Sequence, residues 1–222
     1  EAPAEAAEEE GAGSIAVILT GPWDDNSWNE AGYNAVQELG KDGAKIAVSE
    51  NVADADVGRV LREYVDQGFE MIVAHSFSYQ DPTFEVGEEA PDTNFAWAGG
   101  IGRTANNVAD YDQPFYEAAF PIGYLAAGWA SLQDPDDPQV GWIGGMQIPP
   151  VEQFIVAYEA GVDHYNQEKG TDVQVKGVYV GDFEAPDEGK IQGQSLIDEG
   201  VDIIFGVGGK TGNGGLSAAK EN

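Results

Sequence analysis

Cysteine is absent from the 222 residues, which excludes disulfides, zinc–thiolate sites and a cysteine nucleophile. Histidine is nearly absent: His75 and His164 are the two, so acid–base chemistry through imidazole has little to draw on. No apolar run approaches the ~20 residues of a membrane-spanning helix. The chain from residue 1 shows no basic segment followed by an apolar stretch, so no signal peptide is expected within it, and a processed N-terminus would read the same way. Positive charge is scarce as well. Ten Lys and Arg stand against forty Asp and Glu, a formal net charge of −30. Such a field repels nucleic acid and anionic membrane surfaces.

What is present describes a folded chain. Apolar residues make up 42%, enough for a packed core, and they are periodic, which argues against disorder. The acidity then needs a setting. In dilute buffer the like charges repel one another. In ~1 M salt the screening length falls to ~3 Å and the repulsion largely disappears. A halophilic source is therefore expected, with an ordinary acidic protein as the alternative. The first thirteen residues, EAPAEAAEEEGAG, are Ala- and Glu-rich and read as a solvated tail.

From residue 14 onward, β-branched apolar runs alternate with helical patterns. Strands are expected at 14–21, 44–52, 69–77, 94–101, 107–112 and 173–183, and also in QVGWIGG and VDIIFGVGG. Helices are expected between them, the longest over 113–132 with Pro121 inside it. Alternation of this kind specifies an α/β fold of mostly parallel sheets covered by helices. An internal echo points to two related halves. YVDQGFEMIVA (64–74) matches LIDEGVDIIFG (196–206) at a constant offset of 132, and DPDDP (134–138) punctuates the middle. Each copy reads as a helix end, a Gly cap and a buried strand.

In open parallel sheets, ligands sit beyond the carboxyl ends of the strands. Five exits are therefore candidate sites. In GPWDDNSWN, Ser27-Trp28-Asn29-Glu30 fits a capping box, with Trp28 as either a packing residue or an aromatic platform. Trp23 reads better as packing or rim. AHSFSYQDP offers Ser76, Phe77 and Tyr79, while His75 reads as a hydrogen-bonding residue without a nucleophile to serve. GGMQIPPVEQF leads to Phe154, facing cleft or core. In VGDFEAPDEGK, Asp182 is either an acceptor for a sugar hydroxyl or a turn carboxylate. FGVGGKTGNGG offers a Gly-rich backbone at Gly209, with Thr211 and Asn213 as donors or acceptors. It is no P-loop, because the glycine required five residues before Gly209 is Ile204. No metal-ligand spacing and no cofactor motif is found, and DADVG and DPDD lack the pattern of a calcium loop.

Three segments carry a family likeness: GPWDDNSWNEAGYNAVQEL, VGWIGGMQIPPVEQFIVAYEAGVDHYN and LIDEGVDIIFGVGGKTGNGGLSAAKE. In these the chain resembles the basic membrane protein family of ABC-transporter substrate-binding lipoproteins, the nucleoside-receptor-like group. AHSFSYQDP and NNVADYDQPFYEAAFPIGYLAAG resemble a branch thought to bind purine bases. The resemblance implies a two-lobed type I periplasmic-binding-protein fold, with lobe 1 over 14–135, lobe 2 over 136–222, and a purine nucleoside or base held in the cleft. Family members run on past the point of Asn222, so it also implies an incomplete second lobe. Trp28 would stack on the base, with Phe77 or Tyr79 and Phe154 near it. Asp25, Asn29, Asp182 and Asn213 would supply polar contacts. The implied setting is a monomer on the extracellular face of the cell membrane. A lipid anchor outside this chain would hold it there, and it would deliver ligand to a permease and an ATPase. A sugar or autoinducer-like ligand on the same fold remains an alternative, as does, more remotely, a nucleoside-hydrolysing enzyme using the clustered aspartates.

Overall fold

The computed structural model describes residues 13–222. The acidic tail expected over 1–13 lies, but for Gly13, outside the described residues. The chain divides into two units. Unit 1 comprises residues up to Asp24 and Asn29–Tyr111; unit 2 comprises Asp25–Trp28 and Asp112–Asn222.

Unit 1 is a parallel sheet of β1 (Ser14–Ile18), β2 (Lys45–Ser49), β3 (Met71–Ala74), β4 (Asn94–Trp97) and β5 (Val108–Asp110), in the order β2-β1-β3-β4-β5. Helices α1 (Trp28–Lys41), α2 (Val57–Asp66) and α3 (Gln80–Glu89) connect the first four strands. Both sheet faces are covered, so alternate residues of one strand enter different cores. Ile18, Ile72, Phe95 and Trp97 join Val57, Leu61 and Phe84 on one face. Val17 and Leu19 join Val36 on the other. Trp97 is fully buried, and cutting it to Ala would cost roughly 3–5 kcal/mol.

Unit 2 begins with α4 (Tyr116–Gln133). It continues with β6 (Gln139–Gly144), α5 (Pro149–Lys169), β7 (Gln174–Tyr179), α6 (Pro186–Asp198), β8 (Ile203–Val207) and α7 (Gly209–Glu221). Its parallel sheet has the order β7-β6-β8. Trp142, Val140 and Phe205 pack under α4 and α5. Ile143 and Ile204 pack with Leu196 of α6 on the opposite face.

Two expectations change. The division falls at residues 111/112, not at 135/136, because α4 belongs with the second sheet. Its Ala119, Ala126, Ala127 and Ala130 line the second core, and a Cβ on Gly123 would stand 1.9 Å from the Tyr158 carbonyl of α5. The Gly-rich strand exit GGKTGNGG is also already helical. It forms the start of α7, where glycines let α6 and α7 touch backbone to backbone. A Cβ on Gly214 would lie 2.0 Å from the Pro186 carbonyl, and one on Gly189 would lie 1.9 Å from the Thr211 carbonyl.

The internal echo is structural. After α2, Gly68 (φ 74°) donates to Val65 O and Phe69 donates to Tyr64 O. After α6, Gly200 (φ 93°) donates to Ile197 O and Val201 donates to Leu196 O. These are the same C-terminal lock 132 positions apart, and left-handed φ at its centre explains the glycine. Each lock delivers its chain to the strand that pairs beside the first strand of its sheet.

Candidate functional site

The exit of β1 is a built turn. The Asn29 side-chain oxygen accepts from Gly21 N and from Thr20 Oγ1, both at 3.2 Å, and Asn29 is buried. Asp25, 3% exposed, accepts from Ser27 N at 2.8 Å. Asn26 takes a left-handed φ of 53°, which Asn tolerates better than most residues. Trp28 opens α1 and is half-buried. Trp23 is 44% exposed, and its ring lies 4.8 Å from that of Tyr33.

At the exit of β3, Tyr79 is fully buried and donates to Val52 O at 2.6 Å. Burial pushes its phenol pKa far up, so it stays neutral. Its place is in the core, not at a cleft. Phe77 is half-buried, 5.6 Å from the Trp97 ring, and the Trp97 indole N–H donates to the Ser76 carbonyl at 2.9 Å. Ser76 Oγ lies 3.0 Å from Ser78 Oγ. His75 is buried, with Nδ1 2.5 Å from the Tyr111 hydroxyl and its ring against Gly32, so it holds α1 and the end of β5 together.

The exits of β6, β7 and β8 are knitted together. Thr211 is fully buried; its hydroxyl donates to Asp182 O at 2.7 Å and accepts from Ala185 N at 3.0 Å. Those bonds tie α7 to the loop after β7, so the expected ligand hydrogen bond from Thr211 gives way to a structural one. Gly209, with φ 56°, starts α7 against the Phe183 carbonyl. Asp182 is exposed and accepts from Glu184 N at 2.8 Å, as a turn carboxylate. Asn213 is exposed on the first turns of α7. Phe154 is half-buried at the start of α5, stacked on Phe115 with centroids 5.5 Å apart.

Two features escaped the sequence reading. The exit of β4, read as strand through residue 101, is a glycine loop wrapped around one carboxylate. Asp110 accepts from the backbone N–H groups of Gly99, Gly100, Ile101, Gly102 and Arg103, at 2.6–3.1 Å. The repeated glycines were the available signal; the partner at position 110 was not. The second is Phe115, whose PFY context reads simply as helix. A groove of about 420 Å³ bordered by Lys176, Gln192, Ser195 and Glu199 lies along β7 and α6, apart from these exits. Among the described residues, no group of His, Asp and Glu could hold a metal, and no helix is long and apolar enough to cross a membrane.

Two parallel α/β units sharing a 2-1-3 strand order define a type I periplasmic-binding-protein fold. A solved solute-binding protein of an ABC transporter system from Aeropyrum pernix matches with a TM-score of 0.84 and 30% identity, over 94% of this chain and 58% of that one. The chain belongs to the Bmp family, described as ABC transporter substrate-binding protein PnrA-like, which matches residues 12–222. A purine-binding protein of Brucella abortus is 32% identical over 86% of this chain and 53% of its own length. A Haloferax volcanii protein named for glucose binding in an ABC transporter is 30% identical over 81% of this chain and 44% of its own. The chain thus spans about half the length of these curated relatives.

Proposed function

We propose that this substrate-binding chain takes a purine nucleoside or nucleobase. It does so without catalysis, as a monomer on the extracellular face of the membrane. A lipid anchor outside these residues holds it there, and it hands ligand to a permease and an ATPase. The observation that carries the ligand choice is the 32% identity to a purine-binding protein over 86% of the chain. The chemistry agrees. A purine is apolar on its faces and polar on its edges, and it carries no charge to be repelled by a −30 protein. Trp28 and Phe154 are half-buried rings at the carboxyl ends of β1 and β6, suited to the faces. Asp182 and Asn213 are exposed and suited to hydroxyls or ring nitrogens. Asp25, Asn29 and Thr211 hold the shape of the exits.

The glucose-named relative at 30% identity favours a second reading, a sugar ligand. Thermal shift in molar KCl against nucleosides, bases and sugars separates the two. A purine should raise the melting temperature and glucose should not; the reverse would replace the first reading. Trp28→Ala should weaken purine binding by roughly ten- to hundredfold, read by calorimetric titration. Release of free base over hours of incubation would instead reopen an enzyme reading.

A further inference from the structure

We infer that Phe115 is a further, specificity-determining residue of the ligand site, forming a two-ring wall with Phe154 that a flat aromatic base covers; this rests on the purine reading above. Helix α4 precedes β6 and α5 follows it, so the amino ends of both helices lie at the carboxyl end of β6, the end where such sheets take ligands. Phe115 is the residue that caps α4, and Phe154 stands in the second turn of α5. Their rings are stacked, 5.5 Å between centroids and 30° between planes. Phe154 packs on the second core, whereas Phe115 remains 45% exposed.

That exposure is a cost. An aromatic ring left partly in water forgoes burial that packing elsewhere in the molecule obtains. The backbone also holds the residue in place, and Phe154 backs its ring: Phe115 N donates to Gln113 O, and Phe115 O accepts from Ala118 N and Ala119 N. A fixed aromatic face, backed by a second ring and open on one side, is preorganised for stacking. A purine covers such a wall with its whole π face, whereas a sugar covers less of it with its C–H groups, so the wall favours the base by contact area.

The test is calorimetric titration of the intact protein in molar KCl with guanosine, adenine and glucose. Wild type is compared with Phe115→Ala, Phe115→Leu, Phe115→Tyr and, as a control at an exposed position further along α4, Leu125→Ala. Leu keeps apolar bulk without a flat ring, so it distinguishes stacking from folding. Ala and Leu should each lose roughly ten- to hundredfold in purine affinity. Tyr should restore it, and Leu125→Ala should match wild type. Purine affinity unchanged in Phe115→Ala and Phe115→Leu would overturn the assignment of Phe115 and leave the purine reading standing. Wild type that binds glucose and no purine would overturn both.

Discussion

Asp110 gathers five backbone N–H groups onto one carboxylate, and a side chain without a carboxylate would orphan some of them. Hydrogen bonds to a charged acceptor are worth more than neutral ones, about 1.5–3 kcal/mol where one is deleted. Asp110→Ala should therefore destabilise unit 1 by about 2–4 kcal/mol, measured by chemical denaturation in molar salt. A loss below about 0.5 kcal/mol would mean that water serves these amides as well. Asp110 also shows why the site was only partly legible. The carboxylate is seven to eleven positions from the amides it holds, and Thr211 is 29 from the carbonyl it binds. Tyr79 reaches a carbonyl 27 residues back. A residue type announces that it can make a hydrogen bond, not with which partner. The positions of Trp28 and Phe154 in the fold were legible because they sit in the first two turns of helices whose starts the apolar period marks.

At the scale of elements, the sequence carried more. Strands buried on both faces and helices closed by glycine are written in neighbouring residues, so the alternation and the repeated lock both emerged. The assignment of α4 did not, because its partner α5 lies beyond a strand. The two kinds of glycine separate here. Gly161 of α5 lies where a Cβ would be 2.0 Å from the Phe120 carbonyl, a backbone atom that cannot turn aside. Gly68 has open space but a left-handed φ. Gly68→Ala should cost about 1 kcal/mol. Gly161→Ala must push two helices apart and should cost about 3 kcal/mol or more, in the range of overpacked cores. Equal losses in denaturant melts would show that the helix pair has slack.

At the scale of the molecule, charge dominates. With −30 distributed over the chain, the melting temperature should rise steeply between dilute buffer and molar KCl, as screening removes repulsion at range. A flat profile would count against a halophilic source. Local pairing works against that background. Arg62 reaches Glu85 at 2.8 Å and Glu89 at 2.7 Å, and its hydrogen bond holds the Glu89 pKa below the ordinary value. A folded-state pKa that is depressed contributes stability above the unfolded value, and that contribution is lost as pH falls through the folded one. The melting difference between wild type and Glu89→Gln should thus be present at neutral pH and vanish as pH drops well below about 4. A difference that persists unchanged at acid pH would assign it to packing.

The twin locks at Gly68 and Gly200 give this chain a matched pair of reporters. Alanine at either place strains the same left-handed turn, one copy in each unit, with an added Gln139 side-chain contact at Gly200 alone. If the units melt as one, both variants lower a single transition. If they melt apart, each variant moves its own, and any shift it causes in the other unit's transition measures how strongly one half of the chain supports the other.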